Sequence, residues 1–367
     1  MDARFPTITG LAYFPRRLRP HSMAPPSLSI IVPVHNSAAE LVRCLDALTQ
    51  SSTQDFHVLV VDDGSTQHLK PLVLSRSYDY MHIEGPLGPA CARNRGAQRA
   101  VASVLVFIDA DVCVHQDTLA GILAVFKSQP DLAAVVGTYD DAPAHPGFIS
   151  QYKNLFHRFV HHQSAGIIST FWAGCGAIRR DVFLRFGGFD EQRYRKPAIE
   201  DIELGMRITT AGHQILLNDQ IQCKHLKRWT FWSMLKTDIL DRGIPWIRLM
   251  HRMHRLDNKL NVAWSQRISV LLVYLIVLSV PLAFWFPTIC LIVLVLGSAV
   301  VLLNVAFYRF FNATRGPVFT LRVLPLHCLY FLYCGFCVVV GTVLRFVAPE
   351  TSDTKPLTPI SPDATSS

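Results

Sequence analysis

The apolar positions of this chain fall into two regimes. Up to about residue 228 they form short runs broken by polar punctuation, and beyond that they become long and nearly uninterrupted. Ser29-Ile-Ile-Val-Pro33 is one short run, and the pattern after it places Leu41, Leu45 and Leu48 on one helical face. His57-Val-Leu-Val-Val61 is a wholly apolar strand that stops at Asp62-Asp63-Gly64-Ser65-Thr66. A helical stretch from Ala90 to Ala102 leads into Val104-Leu-Val-Phe-Ile108, which stops at Asp109-Ala-Asp111. Continuous apolar strands alternating with helices predict an α/β domain whose mainly parallel sheet is covered on both faces. Ligands of such sheets bind at the carboxyl ends of the strands. Asp62, Asp63, Asp109 and Asp111 are therefore expected to gather on one rim, where like charges need a cation or hydrogen-bond donors. Asp-Gly and Asp-x-Asp are also common turn residues, but both at the ends of separate strands favour a site.

Between Ile268 and Tyr308 there are 41 residues without Asp, Glu, Lys or Arg, and between Val323 and Leu344 another 22. A membrane-spanning helix needs about 20 apolar residues, so the pattern predicts three spans, at 268–286, 288–308 and 323–344, the first pair divided at Phe286-Pro287. Lys259 and Arg267 precede the first span, and Arg309, Arg315 and Arg322 separate the second from the third. The positive-inside rule then makes this an integral protein of the cell's inner membrane, with the large domain cytoplasmic and the tail after Arg345 outside. From Cys223 to Arg267 there are ten Lys and Arg against three Asp. Phe231, Trp232, Leu235 and Ile239 share one face of that region, Pro245 is expected to break it, and Trp246, Leu249, Met250, Met253 and Leu256 share a second face. Residues 229–267 thus read as an interfacial segment that meets anionic lipid rather than nucleic acid, or that packs on the domain before it.

Composition narrows the class. With 50% hydrophobic and 17% charged residues and a net charge of +8, the chain is neither disordered nor a disulfide scaffold, and the nine cysteines of a cytoplasmic domain are expected to be reduced. Residues 1–26 read as a flexible segment without an apolar leader core, with Met1 and Met23 both open as starts, and 349–367 as a disordered tail. No G-x-x-x-x-G-K-[ST] or G-x-G-x-x-G follows a strand, which disfavours a P-loop kinase or a nicotinamide enzyme. Asp109-x-Asp111 suits a hard divalent cation, Mg²⁺ or Mn²⁺, and the phosphate beside it. In Trp172-Ala-Gly-Cys-Gly-Ala177 the glycines permit close backbone approach, and Trp172 either stacks on a sugar or fills the core. His157-Arg-Phe-Val-His161-His162 reads as a polar helix face.

In order, Ser29-Ile-Ile-Val-Pro-Val-His-Asn36, Val60-Val-Asp-Asp-Gly-Ser-Thr66, Ala92-Arg-Asn-Arg-Gly96, Phe107-Ile-Asp-Ala-Asp111, Phe186-Gly-Gly-Phe-Asp-Glu191 and Glu200-Asp201 resemble the motif series of the family 2 inverting glycosyltransferases, which have the GT-A fold. The resemblance covers residues 27–228 and implies a nucleotide-sugar donor, a UDP-sugar by preference. It implies that Pro33 and Val34 lie against the base, that Asp63 accepts from the uracil ring, that Asp109 is near ribose and metal, and that Asp111 is the principal metal ligand. Arg93 matches a diphosphate contact, with a helix-surface arginine as the alternative. Asp201 matches the catalytic base with Glu200 as its orienting neighbour, although an acidic first helical turn would look the same. His225 resembles a further metal ligand or else belongs to a basic patch, and His225-Leu-Lys-Arg228-Trp229 resembles Q-x-x-R-W, in which Arg228 and Trp229 would hold diphosphate and acceptor. The implied partners are a lipid-linked or saccharide acceptor and the membrane. A processive polysaccharide synthase and a nucleotide-binding transporter or flippase subunit are the rival readings.

Overall fold

The computed structural model describes residues 26–254, 260 and 263–347. The expectations for residues 1–25, for Leu256 and for 349–367 lie outside the described residues. The chain opens with β1 (Leu28–Val34), α1 (Ala38–Thr49), β2 (Phe56–Asp63), α2 (Lys70–Leu74), β3 (Asp79–Ile83), α3 (Pro89–Arg99) and β4 (Val104–Ile108). There follow β5 (Val112–Val114), α4 (Thr118–Ser128), β6 (Ala134–Tyr139), α5 (Phe148–Gln163), β7 (Gly166–Ile168), β8 (Cys175–Arg179), α6 (Arg180–Arg185), α7 (Glu200–Thr210) and β9 (Ile215–His225). They build one sheet in the order β3-β2-β1-β4-β8-β6-β9-β5, with β7 also on β9. The first four of these strands are parallel, as the alternation of apolar strands and helices requires. Beyond β4 the sheet is mixed, because β8 runs antiparallel to both β4 and β6 while β6 and β9 are parallel. The pleat divides β1 between two cores: Ile30 and Val32 enter one apolar layer and Ile31 the other.

Two features aim this sheet at a site. The short strand β5 begins directly after Asp111 and pairs antiparallel with β9, setting Val112 opposite His225. Under α7, the buried Arg207 donates from Nε to Glu203 Oε1 at 2.7 Å and from Nη2 to Glu203 Oε2 at 2.9 Å. The same guanidinium also bonds the carbonyls of Phe186 and Gly188, so it fixes the Phe186-Gly-Gly-Phe189 loop to the helix that opens with Glu200 and Asp201.

After β9 the chain forms α8 (Phe231–Lys236), a π turn (Thr237–Gly243) and α9 (Ile244–Met253) as one continuous helical run. Pro245 does not break it, contrary to the pattern-based expectation. Because the π turn ends at Gly243, Pro245 falls in the first turn of α9, where a missing N–H costs nothing. Leu249 is buried with Tyr194, Ile199 and Met206, so α9 docks on the α/β domain, while Trp232 of α8 is 76% exposed.

The apolar region comprises α10 (Trp264–Ala283), α11 (Ile289–Leu303), α12 (Val305–Arg315) and α13 (Pro317–Val347). Helices α10 and α13 are long and apolar enough to cross a membrane, and α11 with α12 makes a third candidate only as a pair bent by 67°. The expected span 288–308 is therefore interrupted. Its break lies at Asn304, whose Nδ2 donates to Ser269 Oγ at 2.9 Å and to the Val300 carbonyl at 2.8 Å, filling its needs inside the bundle. The expected loop 309–322 is helical instead. Its Arg315 donates to Gln151 Oε1 at 2.9 Å, and Phe307 packs on Phe156 of α5 with ring centroids 5.1 Å apart. Helix α13 meets α5 near its start, through Phe148 and Phe319, and α9 near its end, where His251 Nε2 and Thr342 Oγ1 are 3.0 Å apart.

Replacing Arg207 by Leu should cost about 3–5 kcal/mol, because it strands a buried Glu203 carboxylate and two carbonyls. A thermal unfolding curve of the purified variant checks this, and a loss below about 1 kcal/mol would remove the pair from its structural role.

Candidate functional site

Asp109 follows the last residue of β4, and the chain immediately supplies it with a cation. Arg93 of α3 donates from Nη2 to Asp109 Oδ1 at 2.6 Å and from Nη1 to Glu200 Oε1 at 2.8 Å. It is not a helix-surface residue, since its side chain is buried and both terminal nitrogens are bonded to carboxylates. Burial works against its charge, but the two carboxylates outweigh that and raise its pKa. For Asp109 burial dominates, reinforced by Asp111 and only partly offset by Arg93, and its pKa is raised. Glu200 is buried and held at its second oxygen by the Ala198 N–H at 3.0 Å, so it is an orienting residue that touches nothing outside the protein.

Asp111 and His225 form the second pair, with Oδ2 and Nε2 3.4 Å apart. His225 is buried, stacked on Tyr139 at 4.4 Å and 7°, so it is not part of a surface patch. Its Nδ1 lies 2.6 Å from Asn154 Oδ1, and Asn154 donates its own Nδ2 to the Ser150 carbonyl. That assignment makes Nδ1 the protonated nitrogen and leaves Nε2 facing a carboxylate, an edge that calls for a proton or a metal cation. Burial opposes ionisation of Asp111, but His225 and then Lys227 overcome it, and its pKa is lowered. Among the described residues no three His, Cys, Asp or Glu side chains are arranged to enclose a metal. Mg²⁺ and Mn²⁺ take one or two protein ligands when phosphates supply the rest, and Asp111 with His225 fits that pattern.

Trp172 precedes Ala173, which bonds Asp201, and its ring packs on Tyr139, which stacks on His225. Its ring meets Tyr139 edge-on at 4.9 Å and His157 at 4.8 Å. A Cβ on Gly174 would fall 2.7 Å from that ring, which is why the position is glycine. Gly174 accepts from the Asp109 N–H at 3.3 Å, and the Ala173 N–H donates to Asp201 Oδ2 at 3.0 Å, so one short segment carries both acids. Burial, then the neighbouring Glu200 charge, raises the Asp201 pKa to about 6. His157 and His161 are not a polar helix face. Their rings lie 3.9 Å apart against Trp172, and burial pushes His157 well below the usual histidine range and His161 to about 4. The polar member is His162, which is exposed beside Asp219.

The structure does not bring the other expected residues to an open surface. Pro33 and Val34 are buried in β1, and the rim is formed by the loops after them, where Asn36 Oδ1 accepts from the Thr66 N–H at 2.9 Å. Asp63 is buried, with its oxygens accepting from Leu87 N at 2.8 Å and Gly88 N at 2.7 Å. Its carboxylate clamps the start of α3, with each oxygen keeping a further acceptor position. Trp229 is buried, with its backbone N–H donating to Ser150 Oγ at 2.8 Å, so it supports α5. Arg228 is exposed, while its neighbour Lys227 covers the Trp229 ring at 4.3 Å and bears electrostatically on Asp111 and Asp109.

A cavity of about 970 Å³ adjoins the acids. Asp201 and Trp172 line it together with Arg242 of the π turn, and its wall continues through Val270 of α10 and Tyr330 and Phe331 of α13. Asp109, Asp111 and His225 are not among its lining residues. Arg242 escaped the sequence reading because its aim depends on the π turn, which re-phases side chains in a way no 3.6-residue period shows.

A mixed sheet with paired acids after its fourth strand, closed by an acidic helix start, is the GT-A type of nucleotide-sugar-binding fold. Residues 29–187 match the model of glycosyl transferase family 2, and the α/β domain is a member of that family. The chain is 30% identical over 227 residues to validoxylamine A glucosyltransferase of Streptomyces hygroscopicus subsp. jinggangensis, covering 51% of this chain and 52% of that protein. It is 35% identical over 207 residues to glycosyltransferase AglE of Haloferax volcanii, covering 54% and 66%. Across the first curated relatives the chain spans about half to two thirds of their length. In structure it resembles a mannosyltransferase from Pyrobaculum calidifontis in complex with GDP-Man and Mn2+, with a TM-score of 0.51, 17% identity, and coverage of 90% of this chain and 92% of that one. The shared fold therefore includes the helices after the α/β domain.

A carboxylate whose pKa is raised to about 6 destabilises the fold where it is ionised. That cost is full above pH 6 and fades as the pH falls toward the unfolded value near 3.8. Asp201→Asn should therefore melt higher than wild type at pH 8 and converge with it at acid pH. Equal melting temperatures at both pH values would contradict the burial assigned to this carboxylate.

Proposed function

We propose that this protein is a membrane-bound, metal-dependent inverting glycosyltransferase that moves a sugar from a nucleotide-sugar to a lipid-linked or saccharide acceptor. One observation carries the reading: Asp201, tuned to about 6, opens into a cavity whose far wall is made by the apolar helices α10 and α13. An acceptor held there would reach the carboxylate without leaving the bilayer. Asp201 takes the proton of the acceptor hydroxyl while that oxygen bonds to the anomeric carbon, and the bond to the diphosphate breaks with its electron pair leaving on the nucleotide. A single displacement inverts the sugar. Asp111 and His225 are the residues that would hold Mg²⁺ or Mn²⁺, which when bound supplies charge neutralisation to the diphosphate. Lys227 adds a donor on the same side, and Glu200 keeps Asp201 aimed through the rigid start of α7. The motif series favours UDP-sugars as donors, with base recognition at Asp63 and the 35–37 and 64–66 loops beside it. On this reading the α/β domain lies on the cytoplasmic side of the inner membrane, which the flanking positive charges support.

The test is transfer by the full chain in detergent, with a panel of labelled nucleotide-sugars led by UDP-sugars and a lipid extract as acceptor. Asp201→Asn should lose about 10²–10⁴-fold in transfer while binding nucleotide as wild type does. Wild-type turnover should fall about tenfold per pH unit below 6, as expected when the base must be ionised. Unchanged turnover in Asp201→Asn would remove it from the base role. His225→Ala should weaken Mn²⁺ affinity, measured by titration in the presence of nucleotide, by about 10–100-fold.

A further inference from the structure

The last helix, α13, is 31 residues long, about 46 Å, and one body holds it along its length. Near its start Phe319 packs on Phe148 of α5 with ring centroids 4.8 Å apart, and Tyr330 packs on Phe156 at 4.8 Å. Further on, Tyr333 donates to Asp238 Oδ2 at 2.7 Å, and a Cβ on Gly341 would fall 2.8 Å from the Ile247 side chain. At the far end Thr342 Oγ1 lies 3.0 Å from His251 Nε2 of α9. Helix α5 is seated on the sheet, where Arg158 donates to the Tyr139 carbonyl at 2.9 Å, and α9 is docked on the same domain through Leu249. Both ends of α13 therefore rest on the α/β domain.

A helix that crosses a bilayer cannot be held in this way. From Phe319 to Thr342 the rise is about 34 Å, more than the hydrocarbon thickness of about 30 Å, so crossing would set the two anchors on opposite sides with the domain between them. It would also carry exposed charges of the intervening elements into hydrocarbon, among them Lys236, whose side chain is 66% exposed two residues before Asp238. The side of α13 turned away from the domain is an apolar stripe. Val318 and Phe336, and likewise Leu321 and Val339, stand on it five full turns apart, and Val343 and Phe346 continue it to the end. The pair α10 and α11 leaves this layer and comes back: Phe284, Trp285 and Phe286 at its tip are exposed, and Asn304 at its end bonds Ser269 near its start. From Ile268 to Val347 there is no Asp or Glu, so the exposed Arg309, Arg322 and Arg345 give α12 and α13 an unopposed positive charge.

We propose that α13 lies in the plane of the membrane surface with its apolar stripe seated in one leaflet of anionic lipid, and that only the hairpin of α10 and α11 goes deeper and returns. The chain then leaves α13 on the same side as the α/β domain, opposite to the side that three crossings would give it. Every arginine from Arg309 to Arg345 falls on that one side, as the positive-inside rule favours, and next to headgroups that attract it. The proposal rests on membrane association alone and not on the transferase chemistry, so an inactive protein tests it equally well.

Depth is measured on the full chain in vesicles containing phosphatidylglycerol, with a fluorescent amino acid incorporated at position 321 or 336 and quenchers attached at shallow or deep points of the lipid chains. Both positions should be quenched mainly by the shallow probe and to the same extent, within about twofold. A crossing helix would put position 336 near the bilayer centre and position 321 at its edge, so stronger quenching of 336 by the deep probe would overturn the proposal. Absence of quenching at both positions would give the stripe to a protein partner or a second copy and overturn the lipid assignment. Sidedness is read separately, with one tag before Met1, a second after Ser367, and protease added to sealed vesicles of one orientation from the expressing cells. The two tags should share one fate, and digestion of one with protection of the other would defeat the in-plane placement.

Discussion

Arg93 holds the site together. Its two bonds connect Asp109, at the end of β4, to Glu200, which lies 107 residues after Arg93 at the start of α7. A buried guanidinium with one carboxylate would be nearly neutral, but with two the local sum stays negative. The consequence reaches both sides. Toward Asp111 and His225 the surplus negative charge favours a cation. Toward Asp201, burial and then the like charge of Glu200 outweigh the Ala173 N–H and the Arg93 and Arg242 cations, so its pKa is raised to about 6 rather than near 4. The interaction that fixes the geometry thus also sets the strength of the proposed base.

The glycine-containing segment after Trp172 is the second constraint, and it acts through the backbone. Gly174 lets the indole fold back over the chain, and the carbonyl and N–H on either side of Ala173 reach Asp109 and Asp201. A side chain at 174 would push the indole away and separate the two acids. The polar groups of the site are thus positioned by strands and a helix start rather than by long loops, which favours fixed geometry.

Much of this could be read from the amino acids alone, and the part that could be read has a common origin. Ser29–Pro33, His57–Val61 and Val104–Ile108 are strands because their apolar runs are short, β-rich and punctuated by acids, and all three fall where the pattern puts them. The acids after them follow from the same local signal. What could not be read depends on partners distant in sequence. Nothing near Arg93 announces that Glu200 will bury it, nothing around Asp63 announces that Leu87 and Gly88 will donate to its oxygens, and His157 and His161 look polar until Trp172 covers them. In the apolar region, composition locates the helices but not the bend at Asn304, which arises from a side chain bonding to Ser269 thirty-five residues earlier. Pro245 misled in the opposite direction, because a proline is a helix breaker only where an N–H is needed, and the π turn moved it to a position where none is.

The wall of Tyr139, His157, His161, Trp172 and His225 gives the arrangement its chemical sense. His157, His161 and His225 each touch Trp172 or Tyr139, which meet edge-on, and burial lowers the pKa of His157 and His161. Asp201 and Trp172 line the cavity, while Asp111 and His225 lie outside its lining. Direct displacement at a sugar carbon demands that the entering oxygen and the leaving phosphate approach that one carbon from opposite faces. On the proposed reading the anomeric carbon therefore sits at the edge of Trp172, where Asp201 can reach one face and the Asp111–His225 pair can serve the diphosphate on the other.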